Sequence, residues 1–82
     1  MNIRLSNMVL GKSGRIIQVD SQEMEQALLS MGVVSGDFIS LSDKAPLGDP
    51  IAIAVNGTKI SIRKKDAASI WIQPQEEPPA SL

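Results

Sequence analysis

The sequence has 82 residues, the length of one domain, and its 43% hydrophobic content is sufficient for a small buried core. Eight basic residues are matched by nine acidic ones, for a formal net charge of −1, whereas proteins that bind nucleic acid through phosphate contacts carry a clear basic excess. The absence of Cys and His excludes disulfides, thiolate chemistry and histidine-based catalysis, and we expect neither a catalytic residue nor a cofactor.

The N-terminal part of the chain predicts a short strand or a turn, followed by a strand. Residues 3–10 contain five apolar side chains without a clear period, which favours a short strand or a turn. Residues 11–14 have the composition of a turn. Residues 15–19 are rich in β-branched side chains and indicate a strand.

A helix is predicted over residues 21–31. Asp20 and Glu23 have the spacing of a capping box, with Asp in the place of Ser or Thr. Gly32 follows the last helical residue, where a left-handed C-terminal cap requires a residue without Cβ. The apolar residues that form one helical stripe are Met24, Ala27, Leu28 and Met31.

The rest of the chain predicts four strands and a tail. The dipeptide Asn56-Gly57 is typical of a type I′ hairpin turn. The strands are expected at 37–44, 51–55, 60–62 and 70–72, with a loop at 45–50 and one helical turn at 66–68. Residues 74–82 contain three prolines and two acids, and we expect a folded domain over 1–73 and a disordered tail over 74–82.

Five short strands and one helix in this length predict a mainly β fold, a small five-stranded barrel with an inserted helix, because closure of the sheet removes bare edges. An SH3-like and an OB-like barrel fit this pattern equally well.

Metal-binding signals are weak. Asp37, Asp43 and Asp49 recur at intervals of six residues, but they lie in separate turns and strand ends rather than in one calcium-type loop. We therefore expect no metal site.

The longest apolar run, residues 51–55, is far shorter than a membrane span, and we expect a cytoplasmic protein.

Several segments together resemble the ferrous iron transport protein A (FeoA) family. The resemblance covers roughly residues 3–72. Its most specific part is the string Pro-Leu-Gly-Asp-Pro at 46–50, and the other parts are Gly11-x-x-Gly14-x-Ile16, Ala27-Leu28-Leu29-Ser30-Met31-Gly32, Ser35-Gly36 and Ile62-Arg63-Lys64-Lys65-Asp66-Ala67. The family usually has Pro where this chain has Ser35, which affects the stiffness of that turn.

The resemblance implies an SH3-like barrel with a helical insertion. It implies a non-enzymatic cytoplasmic accessory protein that docks on the cytosolic GTPase part of a FeoB-type ferrous iron transporter, modulates Fe²⁺ transport, and meets the membrane only through that partner. The alternative is a free-standing SH3-like module of a nucleic-acid or ribosome-associated assembly. With one Trp, one Phe and no Tyr, the sequence lacks the aromatic face that nucleic-acid binding would favour.

The predicted partner surface combines the end of the helix with the 46–50 loop. A loop that contains two prolines loses little entropy on binding. The cluster Arg63-Lys64-Lys65 could contact an acidic partner. The candidate residues are Leu28, Leu29, Met31, Gly32, Pro46, Leu47, Gly48, Asp49, Pro50 and Arg63.

Overall fold

Six antiparallel strands form one sheet in the computed structural model, which describes residues 1–76 of the chain. The strands are β1 (Ile3–Arg4), β2 (Ser13–Val19), β3 (Phe38–Lys44), β4 (Ile51–Val55), β5 (Thr58–Ile62) and β6 (Ile70–Pro74). The helices are α1 (Gln22–Ser30) and the single turn α2 (Lys64–Ala67), with a 3₁₀ turn at Leu5–Asn7. The two-residue β1 lies within residues 3–10, for which the sequence predicts a short strand or a turn, and it makes six strands where a five-stranded barrel was predicted.

The strand order is β1-β6-β2-β3-β4-β5, so that β1 and β5 are the two edges. β3, β4 and β5 form a meander, in which β4 pairs with the other two. β6, the last strand along the described chain, lies between β1 and β2 and pairs with both. β6 ends at Pro74, the first residue of the predicted tail, and the part of that tail from residue 77 onward lies outside the described residues.

One apolar core lies inside the curved sheet. In β4 the alternation that the sequence predicts is present, with the Ile and Val side chains buried and the two Ala residues half-buried. Alternation of this kind directs one face of a strand to the core. The core side chains with an exposed fraction of 0% or 1% are Leu5, Met8, Ile16, Ile39, Leu41, Ile53, Ala67, Ile70 and Ile72.

The N-terminal end of α1 differs from the prediction by one residue. Ser21, not Asp20, is the N-cap, and its Oγ accepts a hydrogen bond from the backbone N–H of Met24 at 3.1 Å. The predicted capping box of Asp20 and Glu23 is therefore wrong. The Asp20 carboxylate instead accepts a hydrogen bond from Trp71 Nε1 at 2.8 Å, so it is engaged by a strand rather than by the helix.

The C-terminal end of α1 confirms the predicted glycine cap. Gly32 has a φ of +81°, its N–H donates to the Leu29 carbonyl, and the Val33 N–H donates to the Leu28 carbonyl. This pair of bonds is a Schellman motif, which satisfies carbonyls that the helix end would leave free. Leu28 and Val33, which lie on either side of this turn, are both buried in the core.

The turn between β4 and β5 also agrees with the sequence. Asn56 and Gly57 both have positive φ, 51° and 76°, as a type I′ turn requires.

Neither helix in residues 1–76 combines the length and the apolar content that crossing a bilayer would require.

Candidate partner-binding site

The loop between β3 and β4, residues 45–50, is called the proline loop below. It is closed at its base by a hydrogen bond from the Ala45 N–H to the Pro50 carbonyl at 3.0 Å, and tightened by one from the Gly48 N–H to the Ala45 carbonyl at 2.7 Å. Gly48 has a φ of +85°, which permits this tight turn. The loop holds Leu47 at its tip, with the side chain 97% exposed.

The side chain of Asp49 connects the proline loop to the start of α2. Its Oδ1 accepts a hydrogen bond from the backbone N–H of Lys64 at 2.9 Å, where α2 begins after Arg63. An open hollow of about 390 Å³ lies beside this bond and is lined by Asp49, Pro50, Ser61 and Arg63. The structure therefore brings together the predicted residues Pro46, Leu47, Gly48, Asp49, Pro50 and Arg63.

The end of α1 forms a second exposed apolar area. Leu29, which is not part of the helical stripe, is 60% exposed, and Val34 after the helix is 49% exposed. Met31 belongs to the predicted stripe but is 47% exposed, so its predicted inward position is wrong. Asn56 holds this region to the tip of the β4–β5 hairpin, because its Nδ2 donates to the Gly32 carbonyl at 3.3 Å and to Asp37 Oδ2 at 3.2 Å.

These two areas lie at opposite ends of β4. The proline loop enters β4 at Ile51, whereas the helix end is bound to Asn56, directly after Val55. Five steps along the strand, at about 3.3 Å each, place these two points about 16 Å apart. No pattern in the sequence predicts the distance between the two segments, because it depends on which end of β4 each one adjoins.

Leu28 is a further correction. Its side chain is 2% exposed and belongs to the core, so it cannot contact a partner without repacking of the domain. The helical stripe had already indicated an inward position, and burial at that position takes precedence over any contact role.

The sequence did not reveal a cluster around Trp71. The Arg4 guanidinium lies 5.0 Å from the centroid of the Trp71 ring, and Trp71 Nε1 donates a hydrogen bond to Asp20. Hydrogen bonds from Trp71 and Gln18, together with the charge of Arg4, lower the pKa of Asp20 below its ordinary value. Arg4 of β1 and Asp20, which follows β2, both contact the indole of Trp71 in β6. We therefore interpret this cluster as a structural contact that connects the three strands.

Within residues 1–76, no three carboxylates lie close enough to hold a metal ion together. A larger hollow of about 600 Å³ lies between the N-terminal segment and the end of β6, and it contains none of the predicted partner residues. Its wall includes Lys12 and ends at Glu76, the last described residue.

Comparison with known proteins gives consistent results. The model of the FeoA domain matches residues 3–74. A Porphyromonas gingivalis protein described as a fusion of Fe(2+) transport protein A and the Fe(2+) transporter FeoB is 32% identical over 72 residues. Those residues are 87% of this chain and only 8% of that protein's length.

Two solved structures have the same fold. The solution structure of iron(II) transport protein A from Clostridium thermocellum has a TM-score of 0.75 and 38% identity, and the match covers 83% of this chain and 43% of that one. Stenotrophomonas maltophilia FeoA complexed with zinc, described as a procaryotic SH3 domain protein, has a TM-score of 0.74 and 22% identity, over 87% of this chain and 89% of that one. The SH3-like alternative is thus confirmed over the OB-like one.

Proposed function

The chain belongs to the FeoA family, and we propose that it is an accessory protein of ferrous iron transport, which docks on the cytosolic part of a FeoB-type transporter and modulates Fe²⁺ uptake. The Porphyromonas gingivalis fusion protein supports association with FeoB, because its description places both functions in one polypeptide. The transporter's own GTPase supplies the chemistry in this proposal, and the accessory domain supplies a contact.

The observation that carries the docking proposal is the exposure of Leu47. A large apolar side chain that is 97% exposed contributes nothing to the core of this domain. Burial of a leucine against a partner contributes about 1.5–3 kcal/mol. Pro46 and Pro50 restrict the loop on either side, so that little conformational entropy is lost when it docks.

The nucleic-acid alternative receives less support. Base stacking requires a free aromatic face. The ring of Trp71 has the Arg4 guanidinium 5.0 Å from its centroid, and the ring of Phe38 has the Arg15 guanidinium at 5.6 Å. Since these are the two aromatic residues of the sequence, we do not adopt that function.

The proposal is tested with Leu47→Gln in cells that lack the native copy. We expect an unchanged thermal melt and at least a tenfold weaker interaction with the transporter, which follows from the loss of about 1.4 kcal/mol or more. Uptake of radioactive Fe²⁺ under anaerobic conditions should fall toward the level of the deletion strain.

Leu29→Gln is the matched control, because Leu29 is also an exposed leucine but lies in the separate area at the end of α1. It should retain uptake. A normal melt with normal uptake for Leu47→Gln would remove the proline loop from the docking surface, and a collapsed melt would assign Leu47 a structural role.

A further inference from the structure

The outer edge of β5 lies beside the proline loop. β5 is the last strand of the sheet, and Thr58, Lys59 and Ser61 are exposed along it. We propose that an extended acidic segment of the transporter adds to this edge as a further antiparallel or parallel strand. This inference rests on the proposed docking function and assigns it a backbone mode of recognition.

The register of the hairpin identifies the backbone groups that are available. Val55 and Thr58 flank a two-residue type I′ turn, so they form a hydrogen-bonded pair. The pairs continue at every second residue, and the N–H and C=O groups of Ile60 and Ile62 therefore point toward β4. Those of Lys59 and Ser61 point outward, and within residues 1–76 they have no backbone partner.

This edge is continuous with the proline loop. Ser61 lines the same hollow as Asp49, Pro50 and Arg63, at the end of β5 nearest to the loop. A strand that pairs with Lys59 and Ser61 gains only about four backbone hydrogen bonds, which is too small a contact for a stable interface on its own. A partner that also buries Leu47 would make both contacts at once.

Charge identifies the chemistry of the occupant. Of the carboxylates near this edge, Asp43 pairs with Lys59 at 2.9 Å and Asp49 accepts from the Lys64 backbone, which leaves Asp66 of α2 beside the three cations of residues 63–65. The side chains of Arg63, Lys64 and Lys65 form no salt bridge within the described chain. An acidic segment complements these cations, whereas a second copy of this chain would bring the same positive side chains together.

The experiment is hydrogen exchange of the wild-type protein with and without the full-length transporter in nanodiscs. We expect at least tenfold slower exchange of the Lys59 and Ser61 amides in the complex, with little change at Ile60, whose amide is already bonded to β4. Protection around Leu47 without protection of Lys59 and Ser61 would overturn this inference and leave the docking proposal intact. Absence of any complex would overturn both.

A variant pair gives an independent test. Ser61→Pro removes the outward N–H and places a ring at the edge without removing a bond to β4, and it should weaken binding at least tenfold. Ser61→Ala keeps the N–H and should bind like the wild type. If Ser61→Pro does not fold, the exchange experiment on the wild type decides. Protection of the same amides in the protein alone, together with the mass of a dimer, would assign the edge to a second copy and refute the inference.

Discussion

Gly14 is the position at which a single added methyl group should cost most. It is buried in β2, where it pairs with Ile39 of β3 on one side and with Pro74 of β6 on the other. A Cβ at this position would lie 2.5 Å from the Gln73 carbonyl oxygen and 2.5 Å from Ile72 Cγ2. Ordinary contacts between carbon atoms lie near 3.5–4.0 Å, so the overlap is about 1 Å.

The size of the effect follows from two opposed terms. Replacement of a glycine within a strand by alanine recovers about 0.5–1 kcal/mol of backbone entropy. Overpacking of a filled site costs about 1–3 kcal/mol, and the upper part of that range applies here because one of the overlapped atoms belongs to the backbone of β6. Gly14→Ala should therefore lower the free energy of unfolding by about 1–2 kcal/mol.

Thermal and urea unfolding measure this change. For a domain of this size, about 1 kcal/mol shifts the Tm by roughly 4–8 °C, so we expect a fall of about 5–15 °C. Lys12→Ala, at an exposed position next to the start of β2, is the control and should change the free energy by less than about 0.5 kcal/mol. A Gly14→Ala protein as stable as the wild type would refute the close approach of β2 and β6.

Three further outcomes are expected. Gly57→Val should destabilise the fold by more than about 1 kcal/mol in urea unfolding, because the φ of +76° is strained for a β-branched residue even though the space around it is open. The lowered pKa of Asp20 stabilises the folded state above the ordinary pKa of an aspartate, and this contribution is lost as the pH falls through the lower folded-state value. The difference in unfolding free energy between wild type and Asp20→Asn should thus shrink below about pH 4, and a constant difference would contradict it. Anaerobic calorimetry should detect no stoichiometric Fe²⁺ site of micromolar affinity, since the sequence has neither imidazole nor thiolate ligands.

Features that depend on near neighbours in the sequence could be predicted, and those decided by distant contacts could not. The glycine cap at Gly32 and the turn at Gly57 require only local backbone geometry, and both predictions are confirmed. The N-cap was predicted one residue too early, at Asp20 instead of Ser21, and both residue types are good N-caps. The contact of Asp20 with Trp71, 51 residues further along the chain, decides between them.

The same distinction applies to the candidate site. The proline loop and Arg63 were predicted from their residues, and the loop's exposure follows from its prolines and its turn. The separation of Leu29 from Leu47 depends on which end of β4 each segment adjoins, and the sequence contains no signal for that. The outward amides of β5 follow from simple alternation, but only after the strand order identifies β5 as an edge.

The strand order also determines which contacts are close in the sequence, and with them the order of events during folding. The meander of β3, β4 and β5 joins neighbours through short connections, whereas β2 pairs with β6 across more than fifty residues, as Val19 does with Ile70. Closure of so long a loop is slow, so β6 should join the sheet late. Destabilising changes in β6 should then accelerate unfolding and leave the folding rate nearly unchanged, while changes in the meander should slow folding. The edge proposed to receive a partner is thus formed by the part of the chain that folds first, and the lifetime of the native state depends on the strand at the opposite end of the sequence.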